Sequence, residues 1–116
     1  MKVISFNANG IRAAARNGFY EWLQQQDADF VCIQETKAHA EQLIPKEMYY
    51  PQGYFCEYYS AQKKGYSGVA IYARHQPQNI IRGIGYHHCD EEGRYLQFDY
   101  PRMSVISLYL PSGTSG

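Results

Sequence analysis

The chain has 116 residues, 45% of them hydrophobic, and 11 basic side chains balance 11 acidic ones. That size and apolar content exclude a disordered polypeptide and fit one domain with its own core. Zero net charge neither points to nucleic acid nor excludes it, although residues 60–116 carry six basic groups against four acidic ones and residues 1–59 carry five against seven.

The opening MKVISFNANG has too short an apolar run for a signal peptide, and no apolar span is long enough for a membrane helix. Val3 to Phe6 reads as a strand closed by Asn7, Asn9 and Gly10. Ile11 to Gln26 reads as helical, with Phe19, Trp22 and Leu23 on one face and Gly18 as the point of division. Phe30 to Ile33 reads as a second strand. Strand, helix and strand at this spacing form a βαβ unit with parallel strands. AHAEQLI, residues 38–44, reads as a short helix and residues 45–53 as loop. YFCEYYSA, GVAIYAR, RYLQFDY and SVISLYL are then short aromatic and β-branched segments separated by turns, which predicts antiparallel strands. The twelve tyrosines fit a sheet-rich protein, since an amphipathic ring suits strands and binding surfaces.

Cys32, Cys56 and Cys89 are widely spaced, odd in number and without a CxxC pair. They read as reduced thiols in an intracellular protein, cytoplasmic if the source is bacterial.

Parallel strands of one βαβ unit end at one sheet edge, where ligands of open α/β sheets bind. FVCIQETK therefore leaves the core beside the end of the first strand, and Asn7 is expected near Glu35. One carboxylate with amides suits magnesium rather than zinc. Lys37 either anchors a phosphate or holds the carboxylate; a plain turn and a solvated strand end are the other reading. Tyr109, at the exit of SLYLPSG, is either a proton or hydrogen-bond donor to phosphate or a half-buried strand residue. Lys63, Lys64 and Tyr66 in KKGYSG suit nucleic-acid contact or an ordinary gated hairpin. Arg94 reaches either a phosphate or Glu91 and Glu92 across its turn. HHCD, residues 87–90, lacks a partner pair at ligand spacing. GxSxG, P-loop and GxGxxG patterns do not occur, so acyl transfer and nucleotide-cofactor binding lose support.

MKVISFNANGIRAA, DADFVCIQETK, KKGYSGVAIYAR, EEGRYLQFDY and SVISLYLPSG, in this order and spacing, resemble the N-terminal half of the exonuclease III family of apurinic/apyrimidinic endonucleases. The resemblance implies an α/β fold, the DNase I-like four-layer sandwich of two packed sheets flanked by helices. It implies Mg²⁺-dependent cleavage (Mn²⁺ as a substitute) of double-stranded DNA 5′ to abasic sites, or action at 3′ ends, by a monomeric parent. Glu35 takes the metal-ligand place and Asn7 the asparagine that helps hold metal and scissile phosphate. Asn9 stands where members carry Asp or Asn. Tyr109 takes the catalytic tyrosine's place. Arg12, Lys37, Gly65, Tyr66 and Arg94 match positions of DNA contact or site support. Ser112 takes a position near the phosphate where many members carry asparagine or glutamine. The family's GDxN and SDH segments do not occur here. Residues 1–116 are therefore expected to be the N-terminal portion of a single domain, without its C-terminal half and inactive alone. Phosphomonoesterases and phospholipases of the same layered fold share the asparagine and glutamate, and a non-catalytic DNA-binding fragment is a third reading.

Overall fold

A computed structural model of the chain describes residues 1–85 and 90–111. The expected βαβ start is present. β1 (Val3–Asn7) runs parallel to β2 (Phe30–Gln34), with Val3 opposite Phe30 and Asn7 opposite Gln34. Each strand runs one residue past its hydrophobic run, because the pairing continues through the terminal amides. α1 (Ile11–Arg16) and α2 (Phe19–Gln24) form the crossover. Gly18, at φ 92°, divides them in a left-handed conformation that a Cβ disfavours.

β2 pairs antiparallel with β4 (Val69–Ala73), and β4 with β3 (Phe55–Tyr59), giving the order β1-β2-β4-β3. β5 (Asn79–Arg82), β6 (Tyr95–Tyr100) and β7 (Met103–Leu108) form a second, antiparallel sheet. Side chains alternate across a strand, so the first sheet feeds two cores. Val31, Ile33, Ala70 and Tyr72 pack with Ile11, Phe19 and Leu23 of the helices. Phe30, Cys32, Val69, Ile71 and Ala73 face Leu96, Phe98 and Val105 of the second sheet. Burial on both faces explains why β2 and β4 read as continuous apolar runs. Each fully buried Ile or Phe contributes about 1.5–3 kcal/mol by leaving water. Helices, first sheet and second sheet make three of the four expected layers.

Three expectations change. AHAEQLI forms only a 3-10 turn at Ala40–Gln42: the Gln42 side chain caps its start by accepting the His39 N–H at 2.9 Å, but Leu43 leaves helical geometry two residues ahead of Pro45. Residues 45–53 are not all loop: α3 (Lys46–Tyr49) starts behind Pro45, whose fixed φ suits a helix entrance. β5 was not anticipated. NIIR lies at a sheet edge and is mostly exposed, so its apolar signal is weak.

Part of the tyrosine content is structural. The Tyr20, Tyr58 and Tyr72 hydroxyls join beneath the helices, with Tyr20 and Tyr72 2.7 Å apart, and Tyr58 donates to the Tyr49 carbonyl at 2.5 Å. Burial raises all three phenols, Tyr20 to about 12. Cys32 and Cys56 are unpaired, and burial pushes their thiols up to about 11 and 12.

Among the described residues β1 and β7 each lack a partner strand on one side, and Val3, Ile106 and Leu108 on them are 53%, 45% and 44% exposed. Such edges pair with other chains. The polypeptide is expected to self-associate in sedimentation velocity runs, and Ile106→Lys with Leu108→Lys to shift it towards one copy. A compact monomer of the unaltered chain would contradict this.

Candidate active site

The strand exit at residues 34–37 is held from both sides by backbone. Ala8, Gly10 and Ile11 N–H groups donate to the Gln34, Glu35 and Thr36 carbonyls at 2.9, 2.8 and 2.9 Å. Opposite them, the Thr36 and Lys37 N–H groups donate to the Gly68 and Ser67 carbonyls at 3.0 and 2.8 Å. Within this clamp Glu35 and Lys37 both adopt φ 54°, Asn9 φ 45° and Ser67 φ 41°. Left-handed non-glycine residues cost roughly 1–3 kcal/mol each and persist only where their surroundings hold them.

The side chains meet as the parallel register requires. Asn7 Nδ2 donates to Glu35 Oε1 at 3.0 Å, while its Oδ1 accepts the Asn9 N–H at 3.0 Å. The second bond fixes the amide's orientation, since only oxygen can accept it. Asn7 thus presents nitrogen, not oxygen, to Glu35. Lys37 Nζ lies 3.4 Å from Glu35 Oε2 and donates to Asn9 Oδ1 at 2.7 Å. Asn9, 28 positions from Lys37, orients that ammonium. The Tyr109 hydroxyl faces the Glu35 carboxylate from the exit of β7. Asn7's bond, then Lys37 and Tyr109, hold the Glu35 carboxyl below its ordinary 4.5. Partial burial and the Glu35 charge raise the Tyr109 phenol, so it stays protonated near neutrality. Residues 7, 35 and 109 therefore converge.

Glu35 and Tyr109 border a cavity of about 680 Å³ lined also by Lys37, Lys63, Gly65, Tyr66, Glu92 and Arg94, while Asn7 lies outside its wall. A depression of about 620 Å³ at the opposite rim, around Phe30, Arg74 and Tyr100, collects none of the site residues expected from sequence. Tyr66 is 55% exposed, and the Lys63 ammonium sits 4.4 Å from its ring centre. Lys64 turns away to Glu41 at 3.1 Å. Arg94 pairs with Glu92. Arg12 lies half-buried in the first turn of α1, outside the cavity wall. Ser112, His87, His88 and Cys89 lie outside the described residues.

Sequence reading missed what joins the two loops of this wall. The Gln62 N–H donates to the Glu91 carbonyl at 2.7 Å, and the Tyr59 hydroxyl to the Asp90 carbonyl at 2.7 Å. A Cβ at Gly93 would lie 2.6 Å from the Tyr59 carbonyl oxygen, so only glycine permits this approach. The Asp90 carboxylate accepts the Ile84 and Gly85 N–H groups at 2.8 and 3.1 Å. Asp90 in HHCD is thus a backbone anchor; its only sequence signal was an acidic residue among glycine turns. Among the described residues, no three His, Cys, Asp or Glu side chains are grouped to hold a metal.

The chain belongs to the endonuclease/exonuclease/phosphatase family, whose model matches residues 4–114. It is 38% identical to an exodeoxyribonuclease of Bacillus subtilis, covering all of this chain and 45% of that protein. It is 35% identical to the DNA repair nuclease APEX1 of Danio rerio, covering all of this chain and 38% of that one. Among solved structures, an AP endonuclease from Archaeoglobus fulgidus superposes with a TM-score of 0.78 at 28% identity, over 96% of this chain and 42% of that one. The Xenopus laevis APE2 catalytic domain gives 0.77 at 30%, over 97% and 46%. The chain thus spans less than half the length of these relatives. They bear out the resemblance to the exonuclease III family and the DNase I-like fold.

Two outcomes test the site's construction. Gly68 has φ 86°, and a Cβ there would lie 2.2 Å from the buried Thr36 Oγ1. Gly68→Ala is expected to destabilise the fold by more than about 1 kcal/mol in urea unfolding. Because Glu35's carboxyl is lowered on folding, its contribution is present above the unfolded-state value and is lost as pH falls through the lowered one. Asn7→Ala is expected to raise the Glu35 midpoint in a ¹³C carboxyl titration; an unmoved midpoint would remove Asn7 as its principal partner.

Proposed function

We propose that the chain is part of a Mg²⁺-dependent DNA-repair phosphodiesterase that cuts 5′ to abasic sites and has 3′→5′ exonuclease or 3′-repair activity. The carrying observation is the convergence of Glu35, Asn7, Lys37 and Tyr109 at one strand-exit rim, beside a loop bearing Lys63 and the exposed Tyr66. Relatives named for abasic-site and exonuclease chemistry support it. A solved relative titled as a 3′ phosphatase bound to a product DNA hairpin supports a DNA substrate.

The donor chemistry fits a hard divalent cation. Glu35 offers a carboxylate whose side chain is 19% exposed, among amide and phenol groups. Magnesium keeps several waters and accepts one or two carboxylates, and manganese takes the same donors. Glu35 would hold it, and once bound such an ion polarises a phosphoryl oxygen. Asn7 fixes the Glu35 carboxylate through its N–H donor, and its oxygen would become a metal ligand by giving up the Asn9 N–H. Lys37 balances the Glu35 charge and steadies Asn9. Tyr109, a protonated phenol, donates a hydrogen bond to a phosphate oxygen at the rim. Gly65 lets the backbone approach DNA, and Tyr66 gives a stacking face. Arg12, Arg94 and Ser112 contact phosphates. Cys32 and Cys56, both unpaired, fit a reducing intracellular setting.

The described residues bring one carboxylate, Glu35, into contact with Asn7 and Tyr109, and among them no three His, Cys, Asp or Glu side chains are grouped for a metal. The 116-residue polypeptide is therefore expected to bind a duplex containing a tetrahydrofuran abasic analogue, with affinity falling as salt rises. It is not expected to nick that duplex with Mg²⁺ present. Glu35→Gln is expected to weaken Mn²⁺ binding, followed by water-proton relaxation. Mg²⁺-dependent cleavage by this polypeptide would refute the inactivity, and salt-insensitive binding would refute the DNA interface.

A further inference from the structure

The cavity beside Glu35 is already charge-neutral. Three acidic residues, Glu35, Glu91 and Glu92, and three basic ones, Lys37, Lys63 and Arg94, line it. Each of these cations is occupied. Lys37 holds Glu35 and Asn9, Lys63 covers the Tyr66 ring, and Arg94 pairs with Glu92. Lys63 meets only a neutral ring, whereas Lys37 and Arg94 are each matched by a carboxylate, so a phosphate that takes either of these two has to displace an internal partner.

The pairs differ in how readily they open. Glu35 is 19% exposed and tied to Asn7 as well as Lys37. The Glu92 side chain is 42% exposed, while that of Arg94 is 23% exposed and its Nε is buried without an acceptor. The carboxylate is thus the outer member of the pair and the guanidinium the inner one. Arg94's backbone is fixed, since its carbonyl accepts the Tyr109 N–H at 2.9 Å and neighbouring Gly93 abuts residues 59–61. The Glu92 carbonyl accepts the Gly68 N–H at 3.4 Å, so the side chain can swing away while the main chain stays. Arginine binds phosphate through two parallel N–H bonds, which a single carboxylate contact on a partly exposed pair does not match.

We propose that Glu92 is an internal competitor for Arg94: its carboxylate holds the guanidinium until a DNA phosphate replaces it, so residue 92 sets how tightly this cavity takes DNA. This rests on the DNA-binding reading above and adds an affinity-setting residue to it. It gives Glu92 a role opposite to that of a supporting partner, whose loss would weaken binding.

Fluorescence anisotropy with a short duplex carrying a tetrahydrofuran site, over a salt series, separates the cases. Glu92→Gln keeps the side chain's size and removes its charge; Glu92→Ala is the second variant, and thermal melting checks that both fold. Both are expected to tighten binding about three- to tenfold at low salt, the effect of removing one like charge a few ångströms from a phosphate. The slope of log affinity against log salt is expected to steepen by about 0.9, one further phosphate neutralised. Arg94→Ala is expected to weaken binding, and Glu92→Gln combined with Arg94→Ala to lose the gain. Unchanged or weaker binding in folded Glu92 variants, with the unaltered chain binding DNA, overturns this proposal alone. No binding by any form overturns it together with the DNA-binding reading.

Discussion

The structure turns on the backbone clamp around residues 34–37. A strand that must leave the core at its polar end has carbonyls and amides to satisfy. Here both sides are met, by Ala8–Ile11 on one flank and Ser67–Gly68 on the other. That double pairing holds Glu35 and Lys37 in left-handed conformations they would not otherwise keep. It is also why a carboxylate, an amide and an ammonium from places 28 residues apart lie within hydrogen-bonding or ion-pair distance. The polar tail of FVCIQETK is the part of a buried strand that two loops bring out together.

The same clamp settles what each group is free to do. Asn7 spends its nitrogen on Glu35 and its oxygen on Asn9. Lys37 spends its charge on Glu35. Tyr109 remains a protonated donor, its ionisation discouraged first by lost hydration and then by the neighbouring carboxylate. The site is therefore assembled by its own internal bonds before any ligand arrives. Preorganisation of this kind lowers the reorganisation needed on binding.

Much of this was legible in the sequence, for physical reasons. β2 and β4 were plain because both their faces are buried, and an uninterrupted apolar run survives any register. The meeting of Asn7 and Glu35 followed from one rule, that the strands of a βαβ unit are parallel and end together. Gly18 announced the division of the crossover helix. Other features left little trace. β5 is an exposed edge strand, and its pattern is diluted by Asn79 and Arg82. The turn at Ala40–Gln42 is capped as a helix would be, yet the chain leaves helical geometry at Leu43, ahead of Pro45. Asp90's anchoring of Ile84 and Gly85 depends on a loop meeting that no period encodes. The orientation of the Asn7 amide depends on a neighbour's N–H, which composition does not specify.

The contact of Gly93 with residues 59–61 couples two segments of the rim. Lys63 and Tyr66 stand on one, Glu92 and Arg94 on the other, and the Gln62–Glu91 bond adds a second rivet. Lengthening either turn by a single amino acid would open a gap at the seam and spread both cationic groups apart. The lengths of the two turns are thus tied to one another.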